Sequence, residues 1–227
     1  MTGIRRIYNH LWPYIFLLAL AVLAFMQVAF LEHPLKYDLL DQAFPWKYFI
    51  GESLQHHQLP LWNPYQLLGS PMHADPQSSA WYPVVWFIGY LFGYSIYSVS
   101  LDFVFHIFLA GAGMFFLTRS LKMRKDVAFL AAASYMLSGF FVGNAQHLMW
   151  IISGSWMPFL IGTYIRLSET RQFRYVFLLS LISFMFMTGG YPAFIIISGY
   201  FILILFLFYI IRDLVNRNYR NASRYAG

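Results

Sequence analysis

Apolar residues fill long uncharged stretches of this chain, broken at intervals that predict helices crossing a bilayer. Residues 11–31 carry no charge over 21 positions, close to the ~20 needed to span a hydrocarbon core. Residues 127–165 are uncharged for 39 positions and 175–211 for 37. As one helix each would be about 55 Å long or more, too long for a single crossing. Both must fold back, and both have a breaker near the middle: Gly143-Asn144-Ala145-Gln146-His147 in one, Gly189-Gly190-Tyr191-Pro192 in the other. The pattern predicts an all-α polytopic bundle forming one transmembrane domain over 1–227. About six transmembrane helices are expected, at 11–31, 99–118, 127–145, 148–165, 175–189 and 192–211.

The basic residues orient that bundle. Thirteen of the fifteen Lys and Arg fall in four clusters: Arg5-Arg6, Arg119 to Lys125, the trio Arg166, Arg171 and Arg174, and Arg212 to Arg224. Short loops rich in Lys and Arg stay cytoplasmic, which assigns 1–10 and the tail 212–227 to the cytoplasm and the segment 32–98 to the outer face. Residues 81–97 are apolar enough to be a further span, but a crossing there would put the Arg119 to Lys125 cluster outside. Pro83, two Gly and dense Trp and Tyr suit an interfacial or re-entrant segment instead. The small-residue pattern Ala19-Leu20-Ala21 after Arg5-Arg6 would fit a signal peptide, yet the apolar run continues ten residues further, which favours an uncleaved anchor.

Composition agrees with a membrane location: 59% of residues are hydrophobic and only 11% charged, beyond the apolar content of a soluble domain. The net charge of +6 sits at the ends of apolar segments, where it meets anionic lipid, so membrane lipids and no nucleic acid are expected partners. Cysteine is absent, which excludes disulfides, thiolate nucleophiles and sulfur-ligated metals. No P-loop, Rossmann glycine pattern or His-Glu-x-x-His motif occurs.

The outer loop concentrates the polar chemistry. Pro45 can open a helix that lies on the membrane surface, with Trp46, Phe49, Ile50 and Leu54 on one face and Lys47, Gly51, Glu52 and Gln55 largely opposite. The Pro- and Gly-punctuated stretch that follows has to turn repeatedly, held by its Trp and Tyr side chains. Asp38, Asp41 and Asp75 are each explicable as a solvated loop acid, or in the case of Asp41 as a helix cap. Convergence strengthens a functional reading, because the turns bearing Gln146-His147 and Gly190-Tyr191 emerge on the same face as these acids. His56-His57 read as solvated. His73-x-Asp75 has ligand-like chemistry without the spacing of a metal site, and His106, inside a span, reads as a buried hydrogen-bonding group.

The motifs Asp38-x-x-x-Gln42-x-x-Pro45-Trp46, Leu59-Pro60-Leu61-Trp62-Asn63-Pro64-Tyr65, Gly69-Ser70-Pro71, Ala74-Asp75-Pro76-Gln77 and Trp81-Tyr82-Pro83 resemble the YfhO-like family of bacterial integral membrane proteins. Ser138-Gly139-Phe140-Phe141, Gln146-His147 and Trp156-Met157-Pro158 continue the resemblance. That family is similar to the GT-C membrane glycosyltransferases. The resemblance implies a protein of the bacterial cytoplasmic membrane that transfers a sugar from a polyprenyl-phosphate carrier to an envelope polymer or lipid acceptor on the outer face. Its members are far longer than 227 residues, so this chain would correspond to their N-terminal part or to a reduced homologue.

By that resemblance Asp38 is the expected catalytic carboxylate, with Asp41 the nearest substitute. Gln42, Asn63, Asp75, Gln77, Tyr82, Gln146, His147 and Tyr191 are expected substrate-binding positions. A divalent cation (Mg or Mn) at Asp75 and His73 would neutralise the leaving phosphate. Two alternatives use the same residues differently: a non-catalytic membrane protein assisting envelope-polymer assembly, and a transporter or flippase. The second is disfavoured because nearly all charge lies at the interfaces.

Overall fold

The computed structural model describes the backbone of residues 2–216 and side chains from Leu11 onward. The expected basic residues Arg217, Arg220 and Arg224 lie outside the described residues, as do the side chains of Arg5 and Arg6. The described chain is helical with no strands: α1 (Thr2–Ala24), α2 (Met26–Ala29), a π-helical turn Leu39–Ala43 running into α3 (Phe44–Gln55), α4 (Pro83–Phe92), α5 (Ile96–Ser120), α6 (Lys125–Met136), α7 (Gly139–Gly143), α8 (Leu148–Thr170), α9 (Phe173–Gly189) and α10 (Pro192–Val215). Four segments are long and apolar enough to cross a membrane: α5, the consecutive pair α6 and α7, α8 and α10. Residues 11–24 of α1 and the whole of α9 are shorter apolar helices.

Local chemistry explains most boundaries. Ser95 and Ser98 form a reciprocal capping box at the start of α5, each side chain bonding the other's backbone N–H at 3.2 Å. Pro occupies the first turn of α3, α4 and α10, where its missing N–H costs nothing. Gly93, at φ +69°, ends α4 in a conformation that favours glycine. The α1 helix stops at Ala24, the α6 helix at Met136; the first break runs through Phe25 and the second through Leu137-Ser138, with Ser138 at the N-cap of α7.

Burial sorts the helices. Two-thirds of the apolar window of α5 and of α8 is buried, against 11% for α10, so α5 and α8 form the centre and α10 exposes an apolar flank suited to lipid. The central pair meets through small residues: a Cβ on Gly113 would stand 2.9 Å from the Phe159 ring, and one on Gly162 3.0 Å from the Phe116 ring. Backbones approach this closely in membrane bundles because lipid supplies no hydrophobic drive, leaving dispersion to hold helices together.

The segment between α2 and α5 folds onto this core as a cap. Helices α3 and α4 touch through Gly51 and Gly89, where a Cβ on Gly89 would lie 3.0 Å from the Gly51 Cα. Leu39, Trp46, Ile50, Leu54, Tyr82 and Val85 join Val99, Phe103 and Ile107 of α5 in one continuous apolar core. The irregular stretch beyond α3 has an antiparallel bridge between Asn63 and Ser70. Indole groups tie it down: Trp46 Nε1 donates to Gln66 Oε1 at 2.6 Å and Trp81 Nε1 to the His73 carbonyl at 3.0 Å.

Candidate functional site

Three arrangements account for most of the residues singled out above. The first joins Asp38 to the α7–α8 turn. Asp38 precedes the π-helical turn, a backbone form often found at functional sites. Its Oδ2 lies 2.9 Å from His147 Nδ1, with the carboxylate about half exposed and the imidazole about one-quarter. His147 Nε2 stands 3.1 Å from Gln146 Nε2. An amide N–H donating to Nε2 requires the neutral ring with its proton on Nδ1, facing the carboxylate. The ring stacks on Trp150 with centroids 4.8 Å apart, and Trp150 packs against Tyr191 at 5.7 Å. Asp38, Gln146, His147 and Tyr191 thus fall into one cluster drawn from three separate segments.

The second is an open cleft of about 1020 Å³ between the π-helical turn, α3 and residues 58–66. Asp41 lines it but Asp38 does not, so two acids three residues apart have different surroundings. Asn63 also lines it, donating its backbone N–H to Ser70 and accepting from the Tyr65 N–H through Oδ1. Gln42 is half-buried within the turn.

The third is a buried polar chain beneath the cap. Lys47 Nζ lies 3.0 Å from Asp102 Oδ2, both side chains almost wholly inaccessible. Lys47 is therefore on the buried side of α3, correcting the expectation that it faces away with Glu52. Asp102 Oδ1 lies 3.0 Å from His106 Nδ1, which also bonds the Asp102 carbonyl at 2.8 Å. Tyr82 Oη lies 2.9 Å from His106 Nε2 and accepts from Trp156 Nε1 at 2.8 Å. With Nδ1 donating to the carbonyl, His106 Nε2 is the acceptor and Tyr82 the donor. His106 is thus the hydrogen-bonded core group the sequence implied. Tyr82, expected to touch substrate, is fully buried with its hydroxyl committed on both sides. Burial pushes the Tyr82 and Tyr94 hydroxyls up from their usual value.

Asp75 and Gln77 stand apart from all three. Asp75 Oδ1 accepts the Gln77 N–H at 2.8 Å, a local turn contact, and His73 Nδ1 bonds the Leu61 carbonyl at 2.8 Å. No group of three or more His, Asp or Glu gathers into a cation site among the described residues.

No family model, curated protein or solved structure matches this chain.

Sequence reasoning missed Asp102 and its partner Lys47. The signal was present: Asp102 and His106 stand four residues apart within an apolar span, where two ionisable groups on one helix face require partners.

Proposed function

We propose that this chain is a membrane glycosyltransferase, or the N-terminal module of one, that moves a sugar from a polyprenyl-phosphate carrier to a cell-envelope acceptor on the outer face of the bacterial cytoplasmic membrane. The observation that carries the reading is the 2.9 Å approach of Asp38 to His147, beside the cleft that Asp41 lines. A half-exposed carboxylate held by an imidazole on a neighbouring helix end is arranged to act as a general base. In the proposed step Asp38 takes the acceptor hydroxyl's proton and the freed oxygen bonds to the anomeric carbon. The bond from that carbon to the phosphate oxygen breaks, leaving polyprenyl phosphate. His147 keeps Asp38 oriented.

The topology that goes with this function has six crossings: the four long segments plus α1 and α9. It puts the ends bearing Arg119, Arg166 and Arg212 in the cytoplasm and the cap outside, where lipid-linked sugars are consumed. The reading is tested by sugar transfer from a polyprenyl-phosphate donor with purified protein, comparing the native chain with Asp38→Asn and Asp41→Asn. Equal turnover in all three removes the catalytic assignment.

A further inference from the structure

The open cleft has a composition that the transfer step leaves unexplained. Along α3 and the turn before it, Asp41, Phe44, Tyr48, Glu52 and His56 line it at helical spacing, and Tyr65 and Gln66 close the opposite wall. That wall is fixed in place: Trp46 donates to Gln66 at 2.6 Å, and the Phe49 and Tyr65 rings meet edge to face at 6.4 Å. The side chains facing the space are therefore aromatic planes interleaved with carboxylates and amides. Aromatic faces accept the C–H faces of sugar rings, and acidic and amide oxygens accept hydroxyl or ammonium protons.

Charge decides which sugars. Asp41 and Glu52 are acidic, and neither Lys nor Arg lines the cleft among the described residues. Lys47, the basic residue of α3, turns inward to Asp102. His56 Nε2 is 3.8 Å from Glu52 Oε2 on an exposed rim. Like charge repels a phosphate from such a space, whereas hydroxyl and amine groups are welcome. At about 1020 Å³ the cleft matches the upper end of the roughly 300–1,000 Å³ usual for small-molecule sites, room for several rings.

We infer that this cleft binds the acceptor glycan, an uncharged or amine-bearing oligosaccharide, and excludes the phosphate-bearing donor. The acceptor role rests on the transferase reading; the binding rests on the cleft's own chemistry. Tyr48 and Tyr65 are exposed, so their replacement leaves the core intact.

Calorimetric titration of the protein in lipid nanodiscs would use cellopentaose, a chitosan pentamer and glucose 1-phosphate as probes. Saturable binding of either oligosaccharide is expected, weakened about tenfold by Tyr48→Ala and by Tyr65→Ala, with no saturation by glucose 1-phosphate. Failure of both oligosaccharides to bind, unchanged affinity in both Tyr variants, or preference for glucose 1-phosphate overturns the inference. Oligosaccharide binding without sugar transfer would sink the transferase reading and leave the glycan site standing.

Discussion

Lys47 and Asp102 are 55 residues apart in sequence, yet Lys47 Nζ lies 3.0 Å from Asp102 Oδ2 with both side chains sealed from solvent. One belongs to the cap and the other to the central helix α5. The pair couples the polar surface, where Asp38 and Asp41 sit, to the apolar bundle beneath. Removing two charges from solvent is costly, and their attraction offsets that cost only while both are present.

Breaking the pair should therefore harm the protein more than deleting it. Lys47→Met or Asp102→Leu alone is expected to destabilise by about 3–5 kcal/mol, because each strands a buried charge, and the double replacement by much less. Thermal unfolding of the four proteins in detergent forms the cycle. Additive losses would show that the two groups act independently.

Asp38 and His147 should behave as a unit in turnover. Asp38→Asn is expected to lower kcat on the order of 10²–10⁴-fold, the range for losing a general base. His147→Ala should lose less, and the double variant no more than Asp38→Asn, since one contact is removed twice. Steady-state transfer kinetics measures this. Multiplicative losses would assign His147 a separate role.

Tyr82 predicts an alkaline weakness. Its hydroxyl ionises at a higher pH in the folded protein than the usual 10.0 because burial disfavours the phenolate. The unfolded chain therefore loses that proton first. This contribution to stability is complete below about pH 10 and declines as pH rises beyond it. Melting temperatures measured from pH 8 to 11 should fall more steeply for the native chain than for Tyr82→Phe. That variant should also be less stable at pH 8 by about 1–3 kcal/mol, having stranded Trp156 and His106.

Cysteine labelling can test the topology cleanly because the chain has no native cysteine. Ser79 and Ser120, both polar and in turn-like sequence, look accessible but are buried at 2% and 5% exposure. Tyr65→Cys and Leu121→Cys are the better reporters, as both positions are exposed. An impermeant maleimide should modify the first in intact cells and the second only after permeabilisation. The opposite pattern would invert the proposed orientation.

The path from sequence to site was uneven. The shared location of Asp38, Gln146, His147 and Tyr191 could be reasoned from the two breakers, since hairpin turns on one side of a bundle must lie near the loop on that side. Tyr82 could not be placed this way: its motif reads as interfacial, but the residue, at the N-cap of α4, is buried with its hydroxyl between His106 and Trp156. Lys47 departs from its expected face for a related reason. A polar residue on an amphipathic helix defaults to solvent, and only the Asp102 carboxylate opposite it reverses that preference.

By itself the sequence determined that this chain is helical and apolar enough to live in a membrane, because long uncharged runs have few other stable states and lipid enforces internal hydrogen bonding. It also marked the loop as the polar, acid-bearing part. The tertiary structure alone decided which acid faces His147, which lines the cleft and which is sealed against Lys47. Those choices depend on contacts between segments distant in sequence, and a carboxylate carries no local sign of the partner that folding will bring to it.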